Sequence, residues 1–350
     1  MAAVVHLALA IGLYLSLTPS HLPDSIVLAQ GSESPQNLCD FDRIKRFDRS
    51  GNLIASWGGK GEDNGEFIHP HGIAIDSVGN VYVTDEERQD VQKFDSNGSF
   101  LMKWGSDGAG EGQFSNRLED VNTDSSDNIY VVDYGNSRIS KFDSDGNFIA
   151  MWGTRGSDEG QFDRPWGIAF DSLSSAYVTD LRNNRIQKFD SNGVFTMQWG
   201  SEGSGPDQFI HLHGIAIDNN DRVYVSDARD NSRISKFDVE GNQLSSWGSP
   251  GSGESQFNEH HGIDFDSKGN VYVADTGNRR IQIFSPDGEF LREWNSSRSG
   301  MQDDLVMPQD IAIDSFDNVY ISDVGDAHPE ISYVEAYLNE HQNLTSSECD

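Results

Sequence analysis

The chain alternates between hydrophobic and polar residues in short stretches, which are separated by turns rich in Asn, Asp and Gly. Four such stretches, HGIDFD, NVYVAD, RRIQIFS and EFLREW, follow one another between residues 261 and 294. A period of two residues is typical of β-strands that bury one face. Turns such as SPDGE supply residues that adopt the left-handed conformations of tight hairpins. No stretch has the period of an amphipathic helix, and the pattern therefore predicts an all-β chain.

The pattern recurs every 47 to 48 residues, which indicates an internal repeat. A tryptophan marks each copy: Trp57, Trp104, Trp152, Trp199, Trp247 and Trp294. A phenylalanine keeps the same spacing: Phe47, Phe94, Phe142, Phe189, Phe237 and Phe284. An aspartate closes the second strand of each copy: Asp85, Asp133, Asp180, Asp227, Asp275 and Asp323. Because this aspartate is needed by every copy, we expect it to be structural and to bind turn amides or a neighbouring arginine.

Each repeat provides four strands, and copies of such a sheet bury both faces when they pack around an axis as the blades of a β-propeller. Five complete units begin near Phe67, Phe114, Phe162, Phe209 and Phe257. The sixth unit, from Leu305, contains only the two inner strands before the pattern ends. We expect residues 43–58 to supply its two outer strands and so to close the ring. Residues 330–338 (EISYVEAYL) are an alternative outer strand, or a cap.

The repeat resembles a known family. The sequence GIAIDSVGNVYVTD, followed by VQKFDSNGSFLMKWG, is similar to the NHL repeat, and the resemblance covers about residues 41–335. It implies a six-bladed β-propeller with four antiparallel strands in each blade. NHL propellers serve as interaction platforms, RNA binders and, in a few families, enzymes, so the resemblance alone does not decide the function.

The ends of the chain predict export. Residues 2–17 are apolar and uncharged, so residues 1–29 are expected to be a signal peptide or an N-terminal anchor. A linker is predicted over residues 30–40, the propeller over 41–338 and a tail over 339–350. The expected location is secreted, cell-surface or periplasmic, where disulfides form. A ring brings its ends together, which favours a Cys39–Cys349 bridge; two unpaired thiols are the alternative.

The net charge of −32 excludes one class of partner. Proteins that bind nucleic acid do so by displacing counterions with Lys and Arg, and this chain would repel a phosphate backbone. A strongly acidic protein instead favours basic partners or divalent cations.

The candidate site lies where the blades differ. The residue at the start of the innermost strand changes from blade to blade: His71, Glu119, Trp166, His213, His261 and Gln309. In a propeller these positions surround the mouth of the central channel. Imidazole and carboxylate are ligands that zinc and related ions prefer, so His71, His213, His261 and Glu119 are candidate metal ligands. Trp166 and Gln309 are candidate binding residues. No cofactor is assigned, and zinc and calcium are the candidate ions.

A second, more distant resemblance is to peptidyl-α-hydroxyglycine α-amidating lyase, a six-bladed propeller of similar repeats. That lyase holds zinc with histidines of alternate blades at this strand start, and it uses a tyrosine and an arginine in the loops after the second strands. The resemblance implies roles for Tyr134 and, offset by one place, Arg182. Of the alternate sets here, His71, Trp166 and His261 include only two histidines. This departure counts against a catalytic zinc.

Two functions follow from the sequence. The first is a monomeric, exported, non-enzymatic scaffold that binds a protein, peptide or glycan on its top face or in its central channel. The second is a metal-dependent lyase or hydrolase at the channel mouth.

Overall fold

The protein is described by a computed structural model over residues 42–115, 117–295 and 305–325, which form twenty-four β-strands in these ranges. The first two strands are β1 (Arg43–Phe47) and β2 (Leu53–Gly58). Blade 1 is β3 (Pro70–Ile75), β4 (Val81–Asp85), β5 (Val91–Phe94) and β6 (Phe100–Trp104). Blade 2 is β7 (Leu118–Thr123), β8 (Ile129–Asp133), β9 (Arg138–Phe142) and β10 (Phe148–Trp152). Blade 3 is β11 (Pro165–Phe170), β12 (Ala176–Asp180), β13 (Arg185–Phe189) and β14 (Phe195–Trp199).

The remaining strands complete the set. Blade 4 is β15 (Leu212–Ile217), β16 (Val223–Asp227), β17 (Arg233–Phe237) and β18 (Gln243–Trp247). Blade 5 is β19 (His260–Phe265), β20 (Val271–Asp275), β21 (Arg280–Phe284) and β22 (Phe290–Asn295). The last strands are β23 (Pro308–Ile313) and β24 (Val319–Asp323). One-turn 3₁₀ helices, Leu181–Asn183 and Thr276–Asn278, follow the second strands of blades 3 and 5.

The two ends of the propeller share one sheet, blade 6. Its strand order is β2-β1-β24-β23, so the N-terminal strands take the two outer places, as the sequence predicts. Strand β1 pairs antiparallel with β24, and the register joins Arg43 to Asp323 and Phe47 to Val319. Residues 330–338, the alternative outer strand, lie outside the described residues, as do Cys39, Cys349 and the segments 1–29, 30–40 and 339–350.

The six sheets form a closed ring. Each innermost strand contacts the innermost strand of the next blade, and β23 contacts β3 to complete the circle. Six hydrophobic clusters fill the spaces between neighbouring blades. The cluster between blades 6 and 1 contains Ile44 and Trp57 from the N-terminal strands and Tyr320 from β24. The chain termini of the propeller are therefore held by a core as well as by strand pairing.

The repeating tryptophan links each blade to the next. It lies at or next to the end of the outermost strand and packs against a glycine in the outer turn of the following blade, as Trp57 does against Gly98. A methyl group on Gly98 would lie 2.5 Å from Trp57 Cδ2, and this glycine has a φ of +84°. Both the close approach and the left-handed backbone require glycine at this position.

We expect Gly98→Ala to lower the free energy of unfolding more than Gly79→Ala. Gly79 has a similar φ of +89° but no atom closer than 3.8 Å to the added methyl group. Both variants carry the cost of a left-handed alanine, about 1–2 kcal/mol. Only Gly98→Ala adds the overlap with Trp57, roughly another 1–3 kcal/mol. Urea unfolding measures the difference, and equal losses would show that the tryptophan contact is unimportant.

The aspartate that closes each second strand is structural, as predicted. Asp180 accepts hydrogen bonds from the Asp163 amide at 2.8 Å and from Asn183 Nδ2 and Arg185 Nε at 2.8 Å each. The DSNG-type turns also use their aspartates locally. Asp95 Oδ1 accepts the amides of Asn97 and Ser99 at 2.8 and 2.9 Å.

Candidate functional site

Six side chains at the same position of the six innermost strands surround the channel mouth. Each is the second residue of its strand, next to an irregularity in the pairing with the second strand, as between Pro70 and Ile73 in blade 1. Such a bulge re-aims side chains. The freed amide of Gly72 is satisfied by Thr84 Oγ1 at 2.9 Å. The ring predicted from the sequence is thus formed: His71, Glu119, Trp166, His213, His261 and Gln309.

The rings of four of these residues are in contact. Trp166 stacks on His213 with 4.2 Å between ring centroids and an angle of 22°. His213 meets His261 edge-on at 4.4 Å. His71 lies 5.5 Å from Trp166. Trp166 is only 7% exposed, and together with His71, His261 and Gln309 it forms the floor between the top face and the channel.

The three histidines of the ring are held as neutral imidazoles in one tautomer. Nδ1 of His71 lies 2.5 Å from the Glu119 carbonyl oxygen, and Nδ1 of His261 lies 2.7 Å from Gln309 Oε1. Nδ1 of His213 is 3.4 Å from the His260 carbonyl oxygen. Because carbonyl oxygens only accept, Nδ1 carries the proton and Nε2 keeps a lone pair. Burial lowers the pKa of His71 to about 4 and lowers the pKa of His213 and His261 well below the usual value.

Glu119 belongs to a buried chain of charged groups. Arg117 Nε donates to Glu119 Oε1 and lies 2.8 Å from Glu86 Oε1. Glu86 Oε2 lies 3.2 Å from His69 Nδ1, and Glu119 Oε2 lies 3.5 Å from His71 Nε2. Burial raises the pKa of Glu119, and Arg117 opposes that rise. These ion pairs hold the side chains that line the site between blades 1 and 2 in place.

A large cavity, the top-face cavity, opens above the ring and has a volume of about 1080 Å³. It is lined by all four predicted binding residues, Trp166, Gln309, Tyr134 and Arg182, and by the three ring histidines. Glu119 lies below it and lines the central channel, a separate cavity of about 200 Å³. The structure therefore brings together the side chains that the sequence analysis identified. They line the top-face cavity and the central channel, which meet at the ring.

The cavity also contains arginines that the sequence did not identify. Arg117, Arg164 and Arg229 line it with Arg182, and the Tyr134 ring lies 4.7 Å from the Arg117 guanidinium and 5.5 Å from that of Arg164. Arg117 and Arg164 have φ values of 91° and 63°. Left-handed backbone is uncommon for residues with a side chain and is frequent at functional sites. A pattern does point to them: the residue just before each innermost strand differs between blades, namely His69, Arg117, Arg164, His211, Glu259 and Met307.

The metal prediction remains a prediction. Within residues 42–115, 117–295 and 305–325, no group of three or more His, Cys, Asp or Glu side chains is placed to hold a metal ion. His71 and His261 are 6.1 Å apart between ring centroids, and the Trp166 ring lies 5.7 Å from His261. The Nε2 lone pairs of His71, His213 and His261 could bind a metal ion, whereas the indole of Trp166, which lies among them, is not a metal ligand.

Besides Glu119, three aspartates line the channel, Asp120, Asp264 and Asp310, and burial raises the pKa of each. Asp264 accepts the amides of Phe265 and Ile313 at 2.8 and 2.6 Å, so it joins blades 5 and 6. Its pKa is raised to about 7. A carboxyl whose pKa is higher in the folded state stabilises the fold below the unfolded pKa, and this contribution is lost as the pH rises to the folded pKa.

We expect Asp264→Asn, which cannot titrate, to gain stability relative to wild type between pH 5 and pH 8. The wild-type carboxyl ionises in the folded state over this range at a cost of about 2–3 kcal/mol. The comparison cancels the other groups that titrate in the same range, including the buried histidines. Thermal melts at both pH values measure the change, with Asp145→Asn on the surface as the control. A constant difference between variant and wild type would refute the raised pKa.

The architecture defines the class of the protein, a six-bladed β-propeller. A sequence-family profile described as a 6-bladed β-propeller matches residues 161–247, and the NHL-repeat profile matches residues 67–94 and 257–284. The protein is a six-bladed β-propeller that contains NHL repeats, as the sequence predicts. No curated protein matches the chain in sequence. No helix among the described residues has the length and apolar character needed to span a bilayer.

Several solved structures share this fold at low sequence identity. A streptogramin B lyase has a TM-score of 0.54 and 14% identity, with 80% of this chain and 95% of that chain covered. A gluconolactonase from Xanthomonas campestris has a TM-score of 0.53 and 13% identity, with 82% and 96% covered. A protein of unknown function from Bacteroides thetaiotaomicron has a TM-score of 0.59 and 14% identity, with 80% and 73% covered. At such identities these similarities establish the fold alone.

Proposed function

We propose that the protein is an exported, non-enzymatic binding protein that takes a polar ligand, the end of a glycan or peptide chain, into its top-face cavity. The observation that carries this proposal is the convergence of Tyr134, Trp166, Arg182 and Gln309 on one cavity of about 1080 Å³. Ligand sites are concave and combine aromatic surface with a few directed polar groups.

The position of the variable residues supports this function. The strands, the inter-blade tryptophans and the closing aspartates repeat from blade to blade, while Tyr134, Trp166, Arg182 and Gln309 in the cavity do not. Rigid scaffolds that present varied loops commonly carry binding sites. A cavity of about 1080 Å³ suits a small ligand or a chain end better than the flat surface of a folded protein.

The test is a screen of the purified propeller on glycan and peptide arrays, with Tyr134→Ala as the cavity variant. Leu244, which is 51% exposed on β18, provides the control variant Leu244→Ala. We expect ligands of the wild type to be lost by Tyr134→Ala and kept by Leu244→Ala, at equal melting temperatures. Ligands that both variants retain would place binding elsewhere and contradict the proposal.

An enzyme is the second candidate, specifically a metal-dependent lyase or hydrolase at the channel mouth. The observation that favours it is the shared tautomer of His71, His213 and His261, since metal-bound histidines donate their other ring nitrogen to an oxygen in this way. Similar structures named as a streptogramin B lyase and a gluconolactonase make the test worthwhile. Metal analysis of tag-free protein and product analysis of any array ligand decide it. Stoichiometric zinc that is lost in His261→Ala, or a cleaved ligand, would replace the binding function by this one.

A further inference from the structure

The top-face cavity is lined by charged groups of both signs. Four arginines from loops of neighbouring blades line it together with four carboxylates, Glu86, Glu202, Asp230 and Glu259. Two of the arginines are neutralised locally. Arg117 pairs with Glu86 and Glu119, and Arg229 Nε lies 3.2 Å from Glu259 Oε1.

Arg164 and Arg182 are different. Within the described residues, no carboxylate oxygen lies within 4.0 Å of a side-chain nitrogen of either arginine. Their backbones are neighbours, because the Arg182 amide donates to the Asp163 carbonyl at 3.1 Å and the Leu181 amide donates to the Arg164 carbonyl at 3.2 Å. Arg164 is half-buried against Tyr134, and Arg182 is exposed. Two arginines without a carboxylate partner therefore come from neighbouring backbone positions at blade 3 and line the same cavity.

Three of the four arginines act on His211, which precedes blade 4 and lines the cavity. Burial, Arg229, Arg182 and Arg117 together lower the pKa of His211 to about 3. Of these three arginines, Arg182 alone has no carboxylate partner among the ion pairs of the described residues.

We propose that Arg164 and Arg182 anchor the carboxylate of an acidic saccharide, a sugar acid of the uronate type. This inference rests on the proposed binding function of the cavity. Arginine recognises carboxylates through paired, charge-assisted hydrogen bonds. The rest of the lining favours a saccharide over a peptide end, because it offers amide and hydroxyl groups for sugar hydroxyls, among them Asn184, Ser252 and Asn258.

The experiment is calorimetric titration of the full propeller with trigalacturonate and with the neutral trisaccharide of the same linkage. We expect trigalacturonate to bind more tightly, and Arg182→Gln and Arg164→Gln to weaken it by about tenfold each and about a hundredfold together. The neutral sugar should be affected little. Arg222→Gln removes the same charge from an exposed turn at the opposite end of blade 4 and is the matched control.

Arg182→Gln is the more informative variant. Because Arg182 is exposed, we expect this change to leave the fold intact, so that a loss of affinity reports on ligand binding. Equal affinity for the acidic and neutral sugars, or unchanged affinity in the double variant, would overturn the proposal while the cavity remains a binding site. The proposal is also overturned, and the cavity remains a binding site, if neither sugar binds although the ligands found on the arrays are lost in Tyr134→Ala. A trisaccharide sulfate that binds more tightly than trigalacturonate would overturn the choice of a carboxylate.

Discussion

A chain that starts at residue 59 is expected to lose the cooperative folding of the whole propeller. It lacks β1 and β2, and so exposes the edge of β24 and the cluster between blades 6 and 1. Ile44, Phe47 and Trp57 are at most 9% exposed in the closed ring. Burying each stabilises the fold by about 2–3 kcal/mol. Their sum is comparable to the entire stability of a typical protein, about 5–15 kcal/mol.

Circular dichroism melting of the shortened chain measures this effect, and a peptide of residues 42–58 supplies the control. Added in trans, the peptide should restore a cooperative melt, whereas the same peptide with Ile44→Ser and Phe47→Ser should not. If the shortened chain melts at the wild-type temperature, ring closure by the N-terminal strands contributes nothing to stability.

Lys45→Met is expected to be the most destabilising single change at the closing sheet. Lys45 Nζ lies 2.8 Å from Asp323 Oδ2, with side chains 8% and 2% exposed. Lys45 takes the place that Gln187 has in blade 3, where Gln187 Nε2 donates to Asp180 Oδ2 at 3.1 Å. Removing one partner of a buried pair leaves an uncompensated charge, at a cost of about 3–5 kcal/mol. Because burial raises the pKa of Asp323, the loss should be smaller at pH 5 than at pH 8.

Lys103→Met is the matched control for this prediction. Lys103 lies 3.4 Å from Asp90, but its side chain is 36% exposed. Exposed pairs contribute about 0–1 kcal/mol. Denaturant unfolding compares the two variants, and similar small losses in both would mean that the Lys45–Asp323 pair is dispensable.

The fold was predictable because the repeat encodes each contact many times. Trp57, Phe94 and Asp85 each mark one copy of a series, and the glycines that receive the tryptophans lie in turns of fixed spacing. The closing sheet was predictable by counting strands, since the unit that begins at Leu305 contains only two strands and residues 43–58 provide the other two. No local pattern decides what lies beyond residue 325, and there the alternatives remain open.

The site was predictable in part. The ring position could be read from the sequence because all six strands start alike while His71, Trp166 and His213 differ. Its geometry could not, because the stacking of Trp166 on His213 depends on how adjacent blades meet. Arg164 was missed since it lies in an irregular loop and only its backbone conformation turns it toward Tyr134. The sequence likewise could not show which arginines form ion pairs, because the partners are distant in sequence, as Arg229 and Glu259 are.

The central claim is that the top-face cavity binds the ligand, and one spectrum tests it. The chain has seven tryptophans, of which six belong to the repeat and pack between blades, while Trp166 forms the cavity floor. Each gives one indole N–H signal in a ¹⁵N correlation spectrum, and Trp166→Phe assigns the seventh. On titration with trigalacturonate or an array ligand, we expect the Trp166 signal to shift and the six repeat signals to remain in place. A saturating ligand that leaves Trp166 unmoved would contradict the claim.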